Sequence, residues 1–182
     1  MRLFTGLDLP VPVAGSLESL LVRLRPVARV QWSASANLHI TTKFIGVWPE
    51  ERLEELKVVL GSLPARPEIA VNIHKLGFFP NPHSPHVFWC GIDAPGLEAL
   101  AKDTDRATSA LGIESEQRAF SPHLTLARIK ERLDLQPLRE AIAALPSLEF
   151  GTFTARNFFL YRSQLSPRGS VYTKLAEFPF TK

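Results

Sequence analysis

A chain of 182 residues, 45% apolar and 21% charged, is large enough to bury the core of one domain and too apolar to be disordered. Its formal net charge of +3 suits an anionic ligand such as a phosphate or a short RNA without demanding one. The single cysteine, Cys90, excludes an internal disulfide and, within the run Val87-Phe88-Trp89-Cys90, reads as a small buried hydrophobe. The opening stretch, broken by Asp8 and Pro10, is too short for a signal peptide, and nothing later reaches the roughly 18 apolar residues that span a bilayer. A cytoplasmic monomer that does not engage a membrane is expected.

Residues 2–9 alternate and read as a strand closed by Pro10 and Pro12. Leu17, Leu20, Leu21 and Leu24 then recur at helical spacing, predicting an amphipathic helix over 13–25. Short strands are predicted at 29–32 and 38–46. Pro49-Glu50-Glu51 signals a helix start, with Leu53, Leu56 and Leu60 as its buried stripe and Gly61 as its stop. Strands at 68–76 and 86–92 flank a loop rich in Pro, Asn and His. Asp93-Ala94-Pro95 opens a third helix, with Leu97, Leu100, Ala101, Thr104 and Leu111 inward and Gly112 past its end. A strand at 123–129 follows, then a helix carrying Leu135, Leu138, Ile142 and Leu145, then strands at 150–162 and 170–178. About eight strands and four helices, interspersed, predict an α+β fold with mainly antiparallel sheets, helices on one face and the other face open as a cleft.

Two segments repeat a short pattern. Leu38-His39-Ile40-Thr41-Thr42-Lys43-Phe44-Ile45 and Pro122-His123-Leu124-Thr125-Leu126-Ala127-Arg128-Ile129 share His-apolar-Thr, which points to two related halves. Residues two apart in a strand project from one face, so His39, Thr41 and Lys43 are expected together, with Leu38, Ile40 and Phe44 opposite. His123 and Thr125 are likewise expected opposite Leu124 and Leu126. One His-x-Thr is what any half-solvated strand produces. Two of them in a chain with five His, each in a strand context, form a specific signal.

Imidazoles titrate near pH ~6.5, so at neutral pH one can carry a proton while the other is free. Facing each other across a phosphate, one would take a proton from water and the other would give one to the leaving oxygen. The Thr hydroxyls would donate to the non-bridging oxygens, with Lys43 adding charge. No HExxH, CxxC or carboxylate-rich cluster marks a metal site, and no cofactor is expected.

These segments resemble the 2H phosphoesterases, named for two His-x-Thr motifs, and are most similar to their bacterial and archaeal RNA 2′,3′-cyclic phosphodiesterases, also called 2′-5′ RNA ligase-like proteins. The likeness runs nearly end to end. It includes Arg2-Leu3-Phe4, Leu76-Gly77-Phe78-Phe79-Pro80, Leu160-Tyr161-Arg162-Ser163 and Gly169-Ser170-Val171-Tyr172. The resemblance implies a single two-lobed, pseudo-twofold domain over 1–182, with antiparallel sheets and outer helices around a central cleft. It implies His39 as the proton donor to the leaving ribose oxygen, His123 as the base that activates water, a 2′-phosphate product, and Thr41 and Thr125 on the phosphate oxygens. The substrate would be RNA or a nucleotide with a 2′,3′-cyclic phosphate. Other readings of the same residues stay open: another cyclic phosphate, such as a small nucleotide or an ADP-ribose derivative, ligation of tRNA halves, or non-catalytic grip on RNA ends.

Two positions depart from the pattern. Thr42 stands where the family has an apolar residue. Arg128, a substrate-binding candidate, falls by strict alternation on the apolar phase, so reaching phosphate requires the strand to bulge or end near Ala127; the other reading is a surface ion-pair partner. His83 and His86 sit among prolines that exclude a helix and read as loop, while His74 reads as structural. Phe78, Phe79 and Trp32 are candidates for base stacking. Arg23, Arg25 and Arg29 read as a solvated face at a helix end.

Overall fold

The computed structural model describes residues 1–181, which form an α+β fold of nine strands and four α-helices. One antiparallel sheet contains β1 (Arg2–Leu7), β3 (Ile40–Val47), β8 (Asn157–Ser166) and β9 (Gly169–Pro179), in the order β3-β1-β8-β9. The other contains β2 (Gln31–Trp32), β4 (Ile69–Phe79), β5 (Val87–Asp93), β6 (His123–Arg128) and β7 (Glu149–Ala155), in the order β2-β6-β5-β4-β7. Helices α1 (Val11–Leu24) and α4 (Gln136–Ala143) pack together, with α1 also on β7, while α3 (Leu97–Ser109) lies on β3 and α2 (Leu53–Gly61) on α3 and β9. Each sheet thus carries helices packed against it.

The helices form for the reasons their sequences declare. Pro12 occupies the first turn of α1, where no N–H partner is lost, and the Leu17, Leu20, Leu21, Leu24 stripe is buried. In α3 the buried Thr104 and Thr108 hydroxyls donate to carbonyls one turn back, Leu100 O at 2.7 Å and Thr104 O at 2.8 Å, so polar groups sit in the core without going unpaired. One continuous core joins both lobes, from Leu3 and Ile40 to Phe88 and Leu124.

The sheets match strand for strand, β3-β1-β8-β9 against β6-β5-β4-β7, with β2 an added edge. The chain crosses between them repeatedly: α1 follows β1 yet packs on β7 of the other sheet, and α3 follows β5 yet packs on β3. The strand expected over 150–162 is two strands, β7 and β8, parted only at Arg156 and lying one in each sheet. No Gly or Pro marks that break, so periodicity alone runs through it. α3 begins later than its Asp-Ala-Pro signal, after Gly96 at φ +99, a conformation that only glycine adopts cheaply.

Candidate functional site

His39 lies immediately before β3, beside a 3-10 turn at Ser35–Asn37. The segment 33–37 that contains this turn is tied to both sheets. Ser33 N–H donates to Leu126 O at 2.8 Å and Ser33 Oγ to Thr125 O at 2.7 Å on β6, while Asn37 Nδ2 donates to Ser170 O at 2.7 Å on β9. His39 Nδ1 is 2.7 Å from Asn37 O. A carbonyl only accepts, so Nδ1 carries the proton. Nε2 then points the other way, 2.9 Å from Thr41 Oγ1.

His123 opens β6 in the same manner. Its Nδ1 donates to Ser121 O, also two residues upstream, at 2.8 Å. The difference is in the surroundings: His123 is exposed, whereas His39 is half-buried. Burial pushes the His39 imidazole below its ordinary value, against the opposing pull of the Asn37 carbonyl and the Asp8 carboxylate.

Both motif strands carry a bulge just after the Thr, and the bulge decides which side chains reach the open face. Opposite β1, Thr5 pairs with Lys43 and Gly6 with Thr41, leaving Thr42 extra. Opposite β5, Phe88 pairs with Ala127 and Trp89 with Thr125, leaving Leu126 extra. The inserted residue and its successor share the covered face, and alternation resumes one residue out of phase.

Three expectations change or resolve as a result. Lys43 is not on the His39 face: it is buried, 2.6 Å from Asp105 Oδ1 and 2.6 Å from Glu114 O on the helix side. Phe44, expected inward, is 67% exposed and faces Phe4 with ring centroids 6.4 Å apart. Arg128 reaches the open side with His123 and Thr125, because Leu126 and Ala127 are both buried. Phe44 and Arg128 therefore occupy matching positions in the two motifs. Thr42, the departure from the apolar pattern, is buried and satisfied by Thr5, with hydroxyl oxygens 2.7 Å apart.

The wall around His39 comes from three segments that carry the family likeness but to which the sequence assigns no role. Phe4 of β1 lies against its ring at a centroid distance of 4.5 Å, and Tyr172 of β9 meets it edge-on at 4.9 Å. Tyr161 of β8 stacks on Phe4 at 4.9 Å. Phe4 and Tyr161 are buried, and the Tyr161 hydroxyl has no hydrogen-bond partner among the described residues. These aromatics are far apart in sequence; only the β1–β8–β9 pairing gathers them, and no local signal announces it. Asp8, near His39, is held by Lys174, whose ammonium also sits 4.2 Å from the Phe159 ring centroid.

On the second lobe Trp89 takes the place of such a wall. It stands opposite Thr125, and its indole fills the space over Gly77, where a Cβ would lie 2.2 Å from Trp89 Cζ2. Among the stacking candidates, Trp32 and Phe78 turn to the core and meet Phe88 at 6.0 and 5.1 Å, whereas Phe79 is 60% exposed. His83 and His86 are exposed in a loop, and His74 Nδ1 lies 3.9 Å from Glu149 Oε1. Burial pushes the Cys90 thiol up to about 12, against a weaker opposing contact from the Gly91 carbonyl, so it stays protonated. Among the described residues no three His, Cys, Asp or Glu converge as metal ligands, and no helix is long and apolar enough to cross a membrane.

The comparisons with known proteins agree with this geometry. The family model described as the 2′-5′ RNA ligase superfamily matches residues 11–166. The RNA 2′,3′-cyclic phosphodiesterase of Methanocaldococcus jannaschii is 32% identical, covering 97% of this chain and 99% of its own. The protein of the same name from Thermus thermophilus is also 32% identical, covering 98% and 89%. Among solved structures, TT0787 of Thermus thermophilus superposes with a TM-score of 0.80 at 30% identity, covering 99% of this chain and 98% of that one. E. coli LigT complexed with 3′-AMP gives 0.81 at 25% identity, covering 100% and 98%.

Proposed function

Because the chain belongs to the 2′-5′ RNA ligase superfamily, we propose that it hydrolyses 2′,3′-cyclic phosphates on RNA ends, leaving a 2′-phosphate, by acid–base catalysis between His39 and His123. Relatives named RNA 2′,3′-cyclic phosphodiesterase support the reaction class. The observation that carries the mechanism is the matched presentation of the two imidazoles: each has Nδ1 donated to the carbonyl two residues upstream, which leaves each Nε2 for chemistry.

The roles divide by exposure. His123, open to solvent, takes a proton from water as its oxygen bonds to phosphorus. The bond from phosphorus to the ribose 3′ oxygen breaks on the opposite side, and His39 Nε2 gives that oxygen its proton. Thr41 and Thr125 donate to the non-bridging oxygens, and Arg128 supplies a fixed positive charge. Burial makes His39 a strong acid once protonated, while the Asp8 carboxylate and a bound phosphate anion favour the protonated form. Replacing water by a ribose hydroxyl and reversing the steps would join two ends through the same groups.

The decisive experiment is hydrolysis of an RNA oligomer ending in a 2′,3′-cyclic phosphate, in excess EDTA, by wild type, His39→Ala and His123→Ala. Turnover to a 2′-phosphate, reduced about 10²–10⁴-fold by each substitution, is the expected result. Full activity in either variant overturns the assignment.

A further inference from the structure

Beyond Arg128, β6 leads into a recess of about 190 Å³ lined by Arg29, Gln31, Arg128, Lys130 and Glu131, among others. Its placement follows from strand geometry. Ile129 is buried and Val30 and Trp32 pack on the core, so their neighbours Arg29, Gln31, Arg128 and Lys130 are turned outward and exposed. Gln31 pairs directly with Arg128 in the β2–β6 ladder. The bulge at Leu126 puts Arg128 on the face of His123 and Thr125, so the recess continues the reactive face instead of lying behind it.

Three cations meet one carboxylate here, and none of Arg29, Arg128 and Lys130 is in an ion pair among the described residues. Lone exposed cations occur elsewhere, at Arg2, Arg23 and Arg118 for example; what sets these three apart is that they line one recess. Two guanidinium forks, an ammonium and a side-chain amide make a donor set for phosphate oxygens. From His123 to Arg128 the strand advances roughly 13 Å, about 3.3 Å per residue with one residue lost to the bulge. That is a span an extended nucleotide or two covers.

Resting on the reading of the active site given above, we propose that this recess holds the backbone phosphate upstream of the reacting end, so that an oligoribonucleotide is bound more tightly than a cyclic mononucleotide turned over at the same histidines. The terminal nucleotide sits at the two histidines, and the chain leaves along β6 between Arg29 and Lys130. Arg128 stands at the junction and serves both.

The test compares wild type with the double variant Arg29→Ala/Lys130→Ala on two substrates, 2′,3′-cyclic AMP and an RNA tetramer ending in a 2′,3′-cyclic phosphate. Both side chains are exposed, and thermal unfolding checks that the variant folds. The expected result is a kcat/KM on the tetramer lowered about tenfold, mostly through KM, with cyclic AMP kinetics within about twofold of wild type. The dependence of log kcat/KM on log salt for the tetramer should become shallower by roughly 1. An equal loss on both substrates, or no loss on the tetramer, overturns the proposal. A wild type that turns over neither substrate refutes the reading of the active site itself, and the recess proposal with it.

Discussion

Lys43 and Asp105 form a buried-to-surface ion pair, Nζ to Oδ1 at 2.6 Å, that joins the strand carrying the first His-x-Thr to α3. Lys43 also donates to Glu114 O at 2.6 Å, and Asp105 accepts from the Glu116 N–H at 3.0 Å. Glu114 and Glu116 belong to the segment that runs from α3 to His123. The lysine expected to touch phosphate instead clamps the approach to one histidine onto the strand of the other.

Lys43→Met should therefore destabilise the fold by about 1–3 kcal/mol, because it strands Asp105 and the Glu114 carbonyl. Urea unfolding measures this, and Lys43→Arg should recover part of it. Burial acts to raise the Asp105 carboxyl, but the Lys43 and Glu116 hydrogen bonds outweigh it and hold it below the usual range. The pair's contribution is thus present above the unfolded carboxyl's pKa and lost as pH falls through the folded one. Wild-type stability for Lys43→Met would sink this account.

His39 should titrate below 6.5 in the free protein, as followed by NMR of its ring protons, since burial outweighs Asn37 and Asp8. Asp8→Asn should lower the midpoint further, and inorganic phosphate should raise it. By linkage, a depressed folded pKa gives stability that is fully present above the unfolded value of about 6.5 and lost as pH falls through the folded one. His39→Gln should lose less thermal stability than wild type between neutral and mildly acidic pH; an identical loss counts against the burial argument.

Gly77→Ala should push Trp89 off the sheet, because the new Cβ would lie 2.2 Å from its ring. A cost of about 1–3 kcal/mol is expected, with a shifted tryptophan emission and a lower kcat/KM through the neighbouring Thr125. Unchanged emission and midpoint would show that the indole is not held where the structure has it.

Arg128→Ala should raise KM about tenfold with the thermal midpoint unmoved, since the side chain is exposed and unpaired among the described residues. Arg128→Lys should fall between, keeping charge but losing the fork. Steady-state kinetics on the cyclic-phosphate oligomer decide this. A KM equal to wild type in Arg128→Ala would remove the residue from the substrate site.

The sequence announces His39, Thr41, His123 and Thr125 because a polar face alternating with Ile40 and Leu124 is a local property of a strand. Lys43 and Phe44 escape that rule for an equally local reason. A bulge inserts one residue without changing composition, and it inverts everything after it. Arg128 signals the same bulge in the second motif, since an arginine in apolar phase needs one. Phe4, Tyr161 and Tyr172 stand in segments that carry the family likeness, but that they form one wall is illegible, because strands distant in the chain pair to make it. The Asn37 and Ser121 carbonyls that fix both histidines leave no trace in side-chain identity.

That pairing of ends has a consequence for how the protein comes into being. β1 is made before its neighbour β8, with six other strands between them in chain order. Until then β1 has only β3 beside it, and the ring of Phe4 that will back His39 has no Tyr161 to lie on. Assembly of the first sheet must await synthesis of β8, at Asn157–Ser166, a high-contact-order step. A chain that stops before β8 would keep both His-x-Thr motifs and have no finished surface to mount the first one on.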